Sequence, residues 1–143
     1  MNILGLNFNH ADSSASLLIN GKLVSAVDEE RFVRIKHYSG FPSKAINYCL
    51  HNSKLKISDI DFIAVNFDPK ANFRNKIFYA LKNLNKRTTY KKIFNFTNKL
   101  NIKNELDNFL SLQKFKGKII NIEHHKSHLA SSYFLSNFSS CIG

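Results

Sequence analysis

The sequence predicts an α/β fold built on a mixed sheet, and three features favour this class. Short apolar or alternating segments at 2–8, 14–19 and 22–28 predict three successive strands. A nearly continuous apolar run at 60–67 predicts a strand buried on both sides. A further short run at 118–122 predicts a fifth strand. Helical segments separate the last two strands, so the predicted order is β-β-β-α-β-α-α-β-α.

Two local signals define the boundaries of the first elements. Asn20-Gly21 lies between the second and third strands and suits the positive φ angles of a type I′ hairpin turn. Pro42 suits the first position of a helix. The apolar face of that helix would hold Ala45, Ile46, Cys49 and Leu50.

The second half of the chain predicts more helix than strand. Residues 70–115 have helical character with a break near 87–89, and a further helix is expected from about His125 to Phe134. Residues 139–143 are predicted to form the start of a further strand. Three antiparallel strands followed by helix-linked parallel strands are typical of the ribonuclease H-like layout, which actin-like ATPase domains share. A half-domain of that class is the predicted fold.

Length and composition fit one cytoplasmic domain. A chain of 143 residues can form one core, and 43% hydrophobic with 22% charged residues excludes wholesale disorder. No apolar stretch reaches the roughly 20 residues that span a bilayer, so a membrane partner is not expected. The N-terminus has no secretory-signal pattern. Cys49 and Cys141 do not make a disulfide framework, which indicates a reduced, cytoplasmic environment.

The net charge of +11 is concentrated in residues 70–118, which hold 11 Lys and 2 Arg against two acidic residues. Aromatic side chains interleave with these cations, a pattern that nucleic-acid-binding segments also show. The alternative is a pair of amphipathic helices with lysine-rich solvated faces. Phe78, Leu81 and Leu84 have the spacing of a buried helical stripe, which favours that alternative. We therefore interpret 70–117 as a basic helical insertion and do not expect a nucleic-acid partner.

The strongest chemical signal is the run His124-His125-Lys126-Ser127-His128. A helix would place the imidazoles of His124 and His128 on one face, one turn apart and within reach of one divalent metal ion. A polar helix start can also hold solvated or capping histidines, but three histidines in five residues favour metal binding. Two nitrogens make a weak site, so at least one further ligand has to come from elsewhere.

A second polar cluster, His10-Ala11-Asp12-Ser13-Ser14, follows the first strand. The backbone N–H groups of such a turn and the hydroxyls of Ser13 and Ser14 can hold phosphate oxygens of a substrate. Asp12 is a candidate to bind a metal or orient a substrate, and His10 is a candidate general base. Asp and Ser are also ordinary turn formers. Chain topology would bring both clusters to the carboxyl ends of the strands, where ligands bind in open sheets of this kind.

A third cluster spans residues 28–37 and mixes three acids, three cations and His37. Its cations suit an anionic substrate. Considered alone, the cluster is better interpreted as a solvated loop with local ion pairs.

Together the three clusters resemble the carbamoyltransferases of the NodU/CmcH type. The order and spacing of the motifs match across nearly the whole chain, apart from 70–118. The resemblance rests on Leu4-Gly5-Leu6-Asn7 through Asp12-Ser13-Ser14-Ala15, on Asn20-Gly21, on Glu29-Glu30-Arg31-Phe32 with Arg34 and Lys36-His37, and on Glu123-His124-His125 with His128-Leu129-Ala130-Ser131.

The resemblance implies that residues 1–143 are the N-terminal portion of a Kae1-like (actin-like) domain, similar to that of the tRNA threonylcarbamoyl-transfer proteins. In this family an adenylate-forming, YrdC-like domain makes carbamoyl-adenylate from carbamoyl phosphate and ATP. The actin-like domain then passes the carbamoyl group to a hydroxyl of a sugar or another metabolite. For His124 and His128 the resemblance implies ligation of iron (Fe²⁺) or a similar metal such as zinc. His10 and Asp12 would line the same pocket, and Lys36 would contact the reactive intermediate.

The sequence departs from the family in two respects. Ala11 separates His10 from Asp12, whereas His and Asp are adjacent in many members. Members are also several times longer, so the chain is interpreted as a truncated fragment without the second half-domain and the YrdC-like domain, and it is expected to be inactive alone. An actin-like small-molecule kinase would use the same turn for ATP, but it gives no role to His124 and His128.

Overall fold

Five strands and four α-helices make up the part of the chain that the computed structural model describes, which is residues 1–8, 12–66, 105–134 and 136–140. A short 3₁₀ helix, Ile57–Asp59, precedes the fourth strand. The elements, in chain order, are β1 (Asn2–Asn7), β2 (Ser14–Ile19), β3 (Lys22–Asp28), α1 (Glu30–Val33), α2 (Ser43–Asn52), β4 (Phe62–Val65), α3 (105–112), β5 (Lys118–Asn121) and α4 (His124–Phe134).

The strands form one mixed sheet in the order β3-β2-β1-β4-β5. β1 and β3 each pair antiparallel with β2, whereas β4 pairs parallel with both β1 and β5. The predicted mixed α/β sheet of the ribonuclease H-like layout is thereby confirmed. The topology also explains why the carboxyl ends of β1, β4 and β5 face the same way.

The β2–β3 hairpin has the turn that its dipeptide predicts. Asn20 and Gly21 have φ angles of 50° and 78°, both in the left-handed region that a type I′ turn requires. The N-terminal ammonium group of Met1 donates to the Asn20 side-chain oxygen at 2.6 Å, which ties the start of β1 to this turn. The pairing register of β1 with β2 is therefore set at the end of the sheet opposite the predicted site.

The core lies on one face of the sheet, where α2 and α3 cover it. The inward positions of the strands alternate with half-buried ones, and the apolar face of α2 is buried as its spacing predicts. Each fully buried Leu or Ile stabilises the fold by about 1.5–3 kcal/mol. Burial also raises the pKa of the Cys49 thiol, which belongs to this core. The buried core side chains include Leu4, Leu6, Leu17, Ile46, Cys49, Leu50, Ile63, Val65, Leu106 and Leu110.

Several predicted boundaries differ from the structure. β4 is shorter than 60–67, and its burial alternates between buried and half-buried instead of being complete on both sides. A strand buried on both faces was therefore the wrong interpretation, because the described helices α2 and α3 pack on one face. The short helix α1 was not predicted, since four residues are too few to show a helical periodicity.

The predicted helical segment 70–115 lies mostly outside the described residues, including its break near 87–89. Its described part is helical at 105–112 and then turns. Residues 139–140 are not in a strand, and 141–143 lie outside the described part of the chain. Within that part, none of the helices combines the length and the apolar character needed to cross a membrane.

Candidate active site at the carboxyl edge of the sheet

The carboxyl ends of β1, β4 and β5 lie along one edge of the sheet because these strands run parallel. Leu6 is opposite Val65 in the register, and Val65 is opposite Asn121. Neighbouring strands lie about 4.8 Å apart, so β1 and β5 end about 10 Å from each other across β4. Asp12 lies in the connection after β1, and α4 begins at His124 shortly after β5. Both predicted clusters therefore belong to the same edge.

Two asparagines that the sequence analysis did not select as site residues connect these strand ends. The Asn66 side-chain N–H donates to Asn7 Oδ1 at 2.5 Å, and the Asn7 side-chain N–H donates to the backbone carbonyl of Asp12 at 2.8 Å. Asn66 Oδ1 is buried and has no hydrogen-bond partner among the residues that the structure describes. The available signal was an Asn at the end of each of two predicted strands. These two hydrogen bonds hold the turn at Asp12 in place relative to β4.

Asp12 contacts His37, a pairing that the sequence analysis did not foresee. His37 Nδ1 lies 2.9 Å from Asp12 Oδ1, and the two side chains are 74% and 55% exposed, respectively. Both residues have left-handed backbones, with φ of 55° for His37 and 68° for Asp12. The N–H of His37 donates to Glu30 Oε2 at 3.1 Å. The tertiary structure therefore joins the second and third polar clusters into one.

Ser13 connects the backbones on either side of this pair. Its N–H donates to the Tyr38 carbonyl at 2.8 Å and its hydroxyl donates to the Gly40 carbonyl at 2.7 Å. The residue is fully buried, so the observed role of its hydroxyl is structural. The predicted contact of Ser13 with a substrate stays a prediction. So does that of Ser14, which is half-buried at the start of β2.

Glu29 is the buried anchor of the same corner. It is only 1% exposed, and its carboxylate accepts the N–H groups of Lys44 at 3.2 Å and Ala45 at 2.7 Å, in the first turn of α2. Its own N–H donates to the Ser13 carbonyl at 2.8 Å. A carboxylate at this position satisfies helix N–H groups that lack intrahelical partners and interacts favourably with the helix dipole. A solvated loop was therefore the wrong interpretation for Glu29, because the sequence does not show which of two adjacent glutamates faces the core.

The remaining two candidates are Lys36 and His10, and of these the structure describes Lys36. Lys36 is exposed in the turn directly before His37. His10 belongs to residues 9–11, which lie outside the described part of the chain. The predicted roles of Lys36 as a substrate contact and of His10 as a catalytic group stay predictions.

Helix α4 brings His124 and His128 together, as their spacing predicts. Their Nε2 atoms are 3.1 Å apart, and their ring planes meet at 86°. Two nitrogen ligands about 2.1 Å from one metal ion, at bond angles of about 90–110°, would be about 3.0–3.4 Å apart. The observed separation fits that requirement, and it is also the distance of a hydrogen bond between the two rings. Within the described residues there is no group of three or more His, Cys, Asp or Glu side chains that could hold a metal ion, so a metal ion bound to the histidine pair would require a further ligand from outside them.

Glu123 holds the first turn of α4, which carries His124, and His128 follows one turn later. Hydrogen bonds to its carboxylate from the backbone N–H groups of His125 and Lys126 lower the pKa of this carboxyl from its ordinary value of 4.5. The Lys126 N–H is 3.0 Å from Glu123 Oε2, and the Ser127 N–H donates to the Glu123 carbonyl at 3.0 Å. Glu123 is therefore the N-cap of α4.

This cap predicts that the start of α4 is sensitive to acid. Because the folded-state pKa is lowered, the ionised carboxylate stabilises the turn fully above about pH 4.5, and this stabilisation is lost as the pH falls through the lowered pKa. We expect the amide NMR resonances of His125 and Lys126 to titrate together, with a midpoint below 4.5. Glu123→Gln should remove this titration, whereas Glu105→Gln should leave it. A midpoint at or above the ordinary value would contradict the cap.

Known protein families, sequences and structures include several that are similar to this chain. The family described as "Carbamoyltransferase N-terminus" matches residues 2–141. The uncharacterised protein sll1178 of Synechocystis sp. is 34% identical over 145 residues, which covers 95% of this chain and 23% of that protein. Nodulation protein NolNO of Sinorhizobium fredii is 45% identical over 53 residues, or 37% of this chain and 8% of that protein. Among solved structures, YeaZ from Pseudomonas aeruginosa aligns with a TM-score of 0.46 and 13% identity, covering 85% of this chain and 42% of that one.

The fold and the two polar clusters thus occur in a chain whose sequence matches the N-terminal region of carbamoyltransferases almost from end to end. The chain belongs to the carbamoyltransferase N-terminus family. The resemblance drawn from the motifs is confirmed. The chain spans 23% of the length of its Synechocystis relative, so it corresponds to part of a longer protein in that case.

Proposed function

We propose that this chain is the N-terminal part of an O-carbamoyltransferase. The complete enzyme would use carbamoyl phosphate and ATP to form carbamoyl-adenylate and would transfer the carbamoyl group to a hydroxyl of a sugar or another metabolite. The observation that carries the proposal is the common position of Asp12 and the His124–His128 pair at the carboxyl edge of parallel strands, in a chain of this family. That edge is where open sheets of this kind bind ligands.

We further propose that His124 and His128 hold a divalent metal ion, iron (Fe²⁺) or zinc. The 3.1 Å separation of their Nε2 atoms supports this, because it suits two ligands of one ion. His124 and His128 would hold the ion, which would supply Lewis-acid chemistry that polarises a phosphate or carbonyl oxygen. The residues of the chain contribute the two imidazoles and the Glu123 cap that fixes their turn of helix.

The partners in this proposal are the remainder of the actin-like domain and an adenylate-forming, YrdC-like domain, acting in the cytoplasm. Exposed apolar side chains on β5 and α4 support a partner that covers this side of the sheet. Ile119 is 39% exposed, Ile120 44% and Leu129 52%, and none of the residues of α4 is buried. Ile119 and Ile120 are consecutive in β5 and point to opposite faces of the sheet. Exposed apolar side chains of this kind favour contact with another polypeptide surface.

The proposal is tested by joining residues 1–143 to the remainder of a longer relative. A chimera would carry residues 1–143 in place of the matching N-terminal segment of the Synechocystis relative. It would be incubated with carbamoyl phosphate, ATP and a panel of sugars and other hydroxyl compounds, and carbamate esters would be identified by mass spectrometry. We expect ester formation by the chimera and none by the isolated 143-residue chain.

Two outcomes would count against the proposal. Turnover by the isolated chain would overturn the expectation that residues 1–143 are inactive by themselves. Absence of ester formation by the folded chimera would count against carbamoyl transfer, provided that the unmodified relative forms the ester under the same conditions. Phosphorylation of the acceptor with magnesium alone would favour the kinase alternative.

A further inference from the structure

Two adjoining cavities lie at the amino ends of β4 and β5, at the end of the sheet opposite the histidine pair. The first has a volume of about 540 Å³, and its lining includes Lys56 and Lys114. The second has a volume of about 520 Å³, and its lining includes Lys116 and Lys118. Ser58 lines both, so the cavities are neighbours along this edge. Each has the volume of an ordinary small-molecule site, about 300–1,000 Å³.

The two helices that cover the core end in the same way, and this brings lysines to the cavities. Lys54 and Lys114 each have a left-handed backbone with φ of 55°. The N–H groups of Leu55 and Phe115 donate to the carbonyl five residues earlier, at 3.0 and 3.3 Å, as in a Schellman motif. Both apolar side chains then pack against the core. The lysines on either side of each are therefore directed to the surface, where they are exposed.

The helix ends account for only part of this cluster. A lysine at the end of a helix interacts favourably with the helix dipole, which explains Lys54 and Lys114. This effect falls off beyond the last turn, so it gives no role to Lys56, Lys116 and Lys118, which follow the helices in the chain. Three of the five lysines are thus left without a structural role.

The neighbouring carboxylates are engaged with the backbone instead of with these lysines. The Asp59 carboxylate accepts the N–H of Lys56 at 2.8 Å, and the Asp61 carboxylate accepts the N–H of Asn2 at 2.7 Å. Across the described ranges, no lysine side chain lies within ion-pair distance of a carboxylate. Positive charge at this edge is therefore not neutralised there, and it attracts anions.

The kinds of side chain that line the cavities favour phosphate groups over other anions. Lysine ammonium groups bind phosphates as point charges. Protein interfaces are enriched in Arg and depleted in Lys, but no arginine is among the described lining residues. Single-stranded nucleic acids need aromatic side chains on which bases stack, and the aromatic ring in the lining, Phe62, is half-buried in β4.

We propose that the amino edge of the sheet binds a chain of condensed phosphates. Lys56 and Lys114 hold one part of the chain, and Lys116 and Lys118 hold the next part. The chain is either inorganic polyphosphate or the triphosphate of a nucleotide. This site is independent of the proposed carbamoyl transfer, because it lies at the other end of the strands from His124 and His128.

The first test is an NMR titration of the ¹⁵N-labelled 143-residue chain with sodium tripolyphosphate, without magnesium. An ionic strength of about 0.15 M screens general charge attraction beyond about 8 Å. We expect saturable shifts of the amide resonances of Ser58, Gly117 and Lys118, which line the cavities. The amide of Lys126 at the opposite edge should keep its position. Absence of saturable shifts at the amino edge would overturn the proposal.

Substitutions assign the binding to particular lysines. Lys56→Gln and Lys116→Gln should each raise the Kd by about 5-fold, the upper range for an exposed charge pair, and the double variant by about 25-fold if the two sites are independent. Lys44→Gln is the matched control, since it removes the same charge from an exposed position at the start of α2. Equal affinity of the control and the double variant would overturn the assignment.

Further probes identify the source of the phosphate chain. ATP without magnesium should shift the same amides as tripolyphosphate. Tighter binding of ATP would identify a nucleotide as the ligand, whereas tighter binding of tripolyphosphate would identify inorganic polyphosphate. A hexaglutamate peptide should bind more weakly than either. Binding of this peptide at the same amides as tightly as tripolyphosphate would overturn the phosphate ligand and favour an acidic polypeptide.

Discussion

His128→Ala is expected to abolish metal binding by the protein that carries this segment. The substitution removes one of two Nε2 atoms that lie 3.1 Å apart on consecutive turns of α4. Loss of a partner that merely orients a metal ligand already lowers affinity by about 10- to 100-fold, and loss of a ligand itself should cost more. The measurement is metal content after anaerobic loading with Fe²⁺ or Zn²⁺ and gel filtration, using the chimera so that ligands from outside this chain are present.

His125→Ala is the matched control for that experiment. It removes a neighbouring exposed imidazole from the same turn while leaving His124 and His128 in place. We expect full metal content in the control and none in His128→Ala. Equal metal content in the two variants would remove His128 from the ligand set, and loss in both would indicate damage to the turn of helix and not loss of a ligand.

Glu29→Ala should lower the free energy of unfolding by about 3 kcal/mol, because hydrogen bonds to a charged group contribute about 1.5–3 kcal/mol each and Glu29 accepts two from the start of α2. The substitution also leaves the buried N–H of Ala45 and the part-buried N–H of Lys44 without this acceptor. Glu29→Gln should cost less, since it keeps one oxygen acceptor and nearly the same shape. The measurement is urea unfolding of the 143-residue chain, comparing midpoints at unchanged slope.

The exposed Glu105 provides the control for this prediction. Glu105→Ala should change stability by no more than about 0.5 kcal/mol, as is usual for surface substitutions. A loss of stability no greater than that of Glu105→Ala would show that the buried carboxylate is not an anchor.

The strands and the helix at the histidines were predictable because their signals are local. Asn20-Gly21 suits one type of turn, and the four residues between His124 and His128 correspond to one helical turn. The burial of Glu29 was not predictable, since Glu29 and Glu30 have the same chemistry and only the packing of α2 against the sheet distinguishes them. The same is true of His37, whose partner Asp12 lies 25 residues earlier in the chain.

The sequence by itself determined the mixed α/β class, the family and the histidine pair, because each depends on spacing over a few residues or on motifs in a fixed order. Only the tertiary structure decided which polar side chains meet. It joined Asp12 to His37, linked Asn7 to Asn66 across two strands and turned Ser13 and Glu29 inward. The physical reason is that hydrogen bonds between distant segments depend on strand order and helix docking, and neither leaves a periodic trace in the chain.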